Sequence, residues 1–389
     1  MLRHVRNILI AAPLLLALYA VMQPGEVTAL PLFARKYSVP CTTCHFAFPR
    51  LNKFGMDFRQ RGYRMPGDKG ESPWQAKEFP LSLVGDVGYN YTSIDQISSD
   101  STAAPGTRER FAISAFQQNA VEFHTAGTLG ENLTFHFDNN FSGIGGPLGS
   151  GMAFVQFDDV VKDGALNVKA GVYDAEIPYL ADSRKTTLAS YLSPVTLDGR
   201  GVELNGTHTG WTYAAGLINS ERTLGKPGDK SLNTFENTYV WLMRDVHGTL
   251  VTARWYADHQ DPRKLDARSS LHTQMEVSAF IDLPHAQIIP GYTYQKFADQ
   301  AAENELHTGL IEALVQFGGG ARWLATARYE LQHAAKTDLN PIEDHNAEVL
   351  GLAYYLSPNM RLAGEWSHDA DNFQGPRTDM VQAYVHLGY

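Results

Sequence analysis

The stretch Ala321-Arg-Trp-Leu-Ala-Thr-Ala-Arg-Tyr-Glu-Leu-Gln332 alternates. Trp323, Ala325, Ala327, Tyr329 and Leu331 share one face, while Arg322, Thr326, Arg328, Glu330 and Gln332 share the other. A strand sends successive side chains to opposite faces, so this segment has one apolar and one polar side. Ser270–Leu283 repeats the pattern: Leu271, Thr273, Met275, Val277, Ala279, Ile281 and Leu283 oppose His272, Gln274, Glu276, Ser278 and Asp282. A soluble sandwich would alternate as well, so the connections must decide.

Sixteen such segments follow one another along the chain: 79–91, 111–125, 132–138, 152–161, 165–173, 201–207, 211–218, 237–246, 249–257, 270–283, 286–295, 308–317, 321–332, 346–356, 359–367 and 378–389. Short turns, as at 247–248 and 284–285, interleave with long loops, as at 174–200 and 219–236. Short periplasmic turns, long external loops and an even strand count describe an outer-membrane barrel. The last segment ends in alternation, with Val381, Ala383, Val385, Leu387 and Tyr389 on one side. Aromatic residues near segment ends, including Tyr89, Trp211, Trp241, Tyr256 and Trp366, suit interfacial girdles. Beyond the first thirty residues no apolar run reaches the length of a membrane helix. The expected fold is all-β: a 16-stranded antiparallel, porin-like outer-membrane β-barrel over 79–389, preceded by a small, mainly α segment over 30–78.

Residues 1–29 read as a secretory signal peptide: Arg3 and Arg6, an apolar stretch from Ile8 to Met22, and small residues at Val27-Thr28-Ala29. The chain of 389 residues carries a net charge of −10. Arg3 and Arg6 against Glu26 give the leader +1, so the remainder carries −11. That acidity argues against nucleic acid as a partner.

Segment 30–78 contains Cys41-Thr42-Thr43-Cys44-His45, with the only two cysteines of the chain. C-x-x-C-H is the spacing of c-type haem attachment. Cys41 and Cys44 would hold one covalent haem c, and His45 would be the proximal iron ligand. A thioredoxin-like C-x-x-C wants a βαβ setting, which is absent from this sequence. For the distal ligand Met65 leads, with Met56 or a barrel histidine (His124 or His136) as alternatives. Arg50 to Tyr63 reads as a short helix with Leu51, Phe54 and Phe58 on one side. Some 45 residues are few to enclose a haem, and a sixteen-stranded barrel leaves an aqueous lumen unless something fills it. The segment is therefore expected as a plug in the lumen or at its mouth, its basic residues pairing with carboxylates such as Glu122, Glu276 and Glu330. Groupings such as Asp258-His259-Gln260-Asp261 and His368-Asp369-Ala370-Asp371 are read as solvated loop charges, and no iron-binding residue is assigned there.

Ala29-Leu30-Pro31-Leu32-Phe33-Ala34-Arg35, the C-x-x-C-H run, Leu51-Asn52-Lys53-Phe54-Gly55 and Gly62-Tyr63-Arg64-Met65 together resemble the N-terminal cytochrome of outer-membrane monohaem cytochrome–porin fusions, proposed Fe(II) oxidases of iron-oxidising bacteria. The resemblance covers about residues 29–66. It implies electron transfer from extracellular Fe(II) through the haem to a periplasmic c-type cytochrome or another soluble electron carrier, with outer-membrane lipid around the barrel. Outward delivery to an external acceptor, or a substrate-specific porin with a structural or regulatory haem plug, are the alternatives. No phosphate loop, H-E-x-x-H or G-x-S-x-G points to other chemistry.

Overall fold

The structure is a computed structural model describing residues 32–71, 80–97, 107–140, 151–175, 185–192, 198–219, 237–258, 270–298, 303–336, 345–358, 360–371 and 377–388. The expected signal peptide, the 78/79 boundary and Tyr389 lie outside the described residues. The strands are β1 (Leu81–Ile97), β2 (Arg108–Thr128), β3 (Leu133–Asn140), β4 (Ala153–Val161), β5 (Leu166–Asp174), β6 (Asp198–His208), β7 (Trp211–Asn219), β8 (Asn237–Val246), β9 (Thr249–Asp258), β10 (Ser270–Leu283), β11 (Ala286–Ala298), β12 (Glu303–Phe317), β13 (Trp323–Lys336), β14 (His345–Ser357), β15 (Met360–Asp371) and β16 (Arg377–Gly388). Each pairs antiparallel with its neighbours in sequence, and β16 closes on β1, making a sixteen-stranded barrel without edges.

Every segment expected from alternation is a strand. Several run further toward the long loops than the pattern reaches: β1 to Ile97, β2 from Arg108 and β12 from Glu303. Exposed polar pairs such as Arg108–Asp95 (2.7 Å) sit there. Backbone pairing continues past the apolar face, so alternation stops before the ladder does.

The faces are inverted relative to a soluble sandwich. Val277, Ile311 and Leu350 on the outside are more than half exposed. Thr252, Glu276, Arg328 and Glu330 point inward and are buried. An apolar surface of that extent is a lipid-facing band, and the inner polar groups pair across strands, as Lys169 does with Glu203 at 2.6 Å. Among the described residues no helix is long and apolar enough to cross a membrane.

Near the short turns the inner face changes character. Met243, Leu250, Phe280, Ile289, Leu314, Leu324 and Ala353 point inward within a few residues of a turn and form one buried cluster. Ala47, Leu51 and Met56 of the N-terminal segment pack on this apolar floor. The segment thus fills the short-turn end of the lumen. Residues 185–192, expected in an external loop, also fold inside. Glu365 accepts from the backbone N–H groups of Leu188 and Ala189 at 2.7 Å each, and Glu330 accepts from that of Leu192 at 2.8 Å.

Candidate cofactor site in the barrel mouth

The plug starts with α1 (Leu32–Tyr37) and is centred on α2 (Lys53–Gln60). Between them, Cys41–Thr43 forms a single 3-10 turn whose end is tied by the Cys44 N–H to the Cys41 carbonyl at 3.2 Å. Both cysteines are free and half-buried. His45 opens a small hairpin that pairs His45–Ala47 with Arg50–Leu51. The His45 Nδ1 lies 3.2 Å from the Pro49 carbonyl. A carbonyl only accepts, so Nδ1 carries the proton and Nε2 keeps its lone pair, the form that ligates a metal.

Asn52 joins this turn to α2. Its Oδ1 accepts from the Gly55 N–H at 2.9 Å and caps the helix, while its Nδ2 donates to the Thr42 and Thr43 carbonyls at 3.2 and 3.1 Å. Its own N–H donates to the Cys44 carbonyl at 2.9 Å. Gly55 sits against that same carbonyl: a Cβ there would lie 2.1 Å from the Cys44 oxygen. The Leu-Asn-Lys-Phe-Gly run therefore has a physical role, pressing α2 onto the C-x-x-C turn. The cap also makes the helix shorter than expected: Arg50 and Leu51 belong to the hairpin, and Leu51 packs on the barrel floor rather than with Phe54 and Phe58.

Burial, and next the charge of Cys41, pushes the Cys44 thiol up to about 11, and burial raises Cys41 as well. Redox-active C-x-x-C pairs run the other way, with a depressed thiol. A raised pair is not the pattern of disulfide exchange.

The plug spans the lumen. On one side, the Phe48 carbonyl accepts from Tyr355 Oη (3.2 Å) and Arg361 Nη1 (3.1 Å), and the Phe46 carbonyl accepts from Gln316 Nε2 (2.6 Å). Fully buried Arg50 pairs with Glu312 at 2.6 Å and donates to Tyr191 Oη at 3.1 Å. On the other side, the carbonyl of Gln60, at the end of α2, accepts from Gln156 and Asn167, partners that a helix C-terminus needs. Thr134 Oγ1 donates to the Gly62 carbonyl at 3.0 Å, and Arg64 pairs with Asp158 at 3.1 Å. Gly62 has φ of +67°, and a Cβ on it would meet Thr134 Oγ1 at 2.2 Å.

Among the described residues, the ion pairs Arg50–Glu312 and Arg64–Asp158 join plug to wall. Of the three carboxylates expected from sequence, Glu276 pairs with Arg254 and Glu330 with Arg328 on the wall, and Glu122 pairs with His124. Choosing among inward carboxylates requires knowing depth and azimuth in the barrel, which alternation does not encode.

The structure brings Cys41, Cys44 and His45 onto one turn. Met56 is fully buried in the floor cluster, a packing role. Met65 lies with Phe33, Tyr37 and Phe54 against Leu32, Phe58, Tyr63 and Ala126. His124 and His136 do share the lumen face, but β2 continues to Thr128, so Ala126 pairs with His136 and His124 with Asp138. Two half-buried free thiols and an imidazole on one turn are a donor set that fits a c-type haem, while Met65 sits in the other hydrophobic cluster.

No protein-family model matches the chain, and no curated protein sequence matches it. Among solved structures it is similar to the anion-selective porin from Comamonas acidovorans (TM-score 0.54, 11% identity, covering 79% of this chain and 99% of that one). It is also similar to the outer membrane channel DcaP of Acinetobacter baumannii (TM-score 0.57, 11% identity, 80% and 97%). A third likeness is to the OmpT loop L8 deletion mutant, an outer membrane protein of Vibrio cholerae (TM-score 0.52, 12% identity, 79% and 99%). At such identities the likeness is one of fold: the chain is a porin-like barrel of the outer membrane.

Proposed function

We propose that the plug carries one haem c and that the protein passes single electrons across the outer membrane, taking them from Fe(II) and delivering them to a periplasmic c-type cytochrome or another soluble carrier. The observation that carries this reading is the His45 Nδ1–Pro49 contact directly after two free cysteines. It fixes the tautomer in which Nε2 is the unprotonated nitrogen, on a residue adjoining both thiols. Cys41 and Cys44 would form the thioether links, His45 would be the proximal ligand and Met65 the distal candidate. A bound haem supplies one-electron exchange, and no acid–base group is required for it.

The position of the plug supports the route. Short turns face the periplasm in this architecture, so the plug meets a periplasmic carrier at its own mouth. The outer rim is roughly 25 Å away across the apolar band. A small cation entering the lumen is therefore the donor that suits the geometry. Stopped-flow mixing of the purified, haem-loaded protein with Fe(II) tests this. Rapid appearance of the reduced spectrum supports it. Solute flux through the pore with no haem reduction would favour a porin whose plug is structural.

A further inference from the structure

We propose that His124, His136 and Asp138, on the lumen wall beside the plug, form a binding site for one divalent first-row transition ion of the Fe(II) kind. The candidate ligand atoms all lie within 4.8 Å of one another. Asp138 Oδ2 is 2.9 Å from His136 Nε2 and 3.6 Å from His124 Nδ1. Separations of 2.9 and 3.6 Å are those of donors sharing one ion at metal–ligand lengths of about 2.0–2.2 Å. Two imidazoles and one carboxylate with positions left for water are the ligand set of mononuclear Fe(II) centres.

The second layer is already built. His136 offers Nε2 because its Nδ1 is engaged by Tyr63 Oη at 2.8 Å, and Tyr63 belongs to the plug. His124 offers Nδ1 because its Nε2 is held by Glu122 at 3.1 Å. Asp138 offers Oδ2 because its Oδ1 accepts from the Met152 N–H at 2.5 Å. Each ligand thus has its other polar atom fixed, the arrangement that orients metal ligands. The His124 side chain keeps 24% of its surface accessible, which gives an ion a way in. The site needs only the wall and Tyr63. Its role as the seat of the electron donor rests on the function proposed above.

Co(II) is the probe. Folded, full-length protein in detergent, stripped with chelator, is titrated while ligand-field absorption and bound metal are followed. One equivalent with nitrogen-ligand bands is expected. His124→Ala and Asp138→Asn should weaken binding at least tenfold. Tyr63→Phe, outside the ligand set, should weaken it about tenfold with stoichiometry retained. Heat-modifiable migration verifies that each variant is folded. No stoichiometric Co(II) in the wild type, or equal binding in the wild type and the His124 variant, would overturn the site and leave a hydrogen-bonded histidine–carboxylate cluster. Intact Co(II) binding without Fe(II)-driven haem reduction would sink the electron-transfer reading and leave the site standing.

Discussion

Asn52 and Gly55 decide whether two thiols and an imidazole can share one turn. Adding a methyl group at Gly55 places it 2.1 Å from the Cys44 carbonyl. Gly55→Ala should therefore cost the plug about 1–3 kcal/mol and lower covalent haem loading, measured by haem stain per folded barrel. Unchanged loading would mean that α2 does not press on the turn as described. The thiols make a second prediction. With Cys44 pushed up to about 11, chiefly by burial, haem-free protein should alkylate slowly at neutral pH and faster as pH approaches that value. Fast alkylation at neutral pH would restore the redox reading of the pair. Asp68 gives a third. Burial alone would raise its carboxyl, but the hydrogen bond from Tyr37 (2.6 Å) and those around it hold it below the usual range. A depressed folded pKa gives stability present above the unfolded value of about 3.9 and lost as pH falls through the folded one. Protease resistance of the plug should thus hold between pH 5 and 8, decline below about pH 4, and show a smaller acid step in Asp68→Asn.

Among the elements, the plug is held by two buried ion pairs at opposite walls and by the apolar floor. Removing one partner of a buried pair leaves an uncompensated charge, at about 3–5 kcal/mol. Glu312→Gln strands fully buried Arg50, so the plug should undock: trypsin should cut within residues 50–64 and pore conductance should rise, with the barrel still heat-modifiable. Conductance and proteolysis unchanged from wild type would show that the pair does not hold the plug. These elements were unequally legible in the sequence. The sixteen strands could be read because a lipid-facing band forces a period of two on every one. The floor could also have been read: Leu324 and Phe280 interrupt polar faces two to four residues from a turn. The inward fold of residues 185–192 left no such signal, since its contacts are backbone N–H groups reaching Glu330 and Glu365. The triad at His124, His136 and Asp138 was half visible. Both histidines stand out as candidate ligands in the sequence, but only the register sets Asp138 opposite His124.

For the whole molecule, the barrel and the plug answer to different physics. The barrel is closed by inter-strand hydrogen bonds and an outward apolar band, neither of which involves Cys41, Cys44 or His45. Replacing both Cys41 and Cys44 with alanine should leave an inserted, heat-modifiable barrel that has lost covalent haem and Fe(II)-driven reduction. Failure to assemble would show instead that the loaded plug templates the barrel. A cytochrome in the mouth of a porin-like barrel has a spectroscopic signature. The most direct measurement is a pyridine haemochrome spectrum of the folded wild-type protein, with haem quantified per chain. The expected spectrum is that of a haem bound through two thioethers, at one per chain and resistant to acid–acetone extraction. Folded barrel without haem, or with haem that extracts, would contradict it.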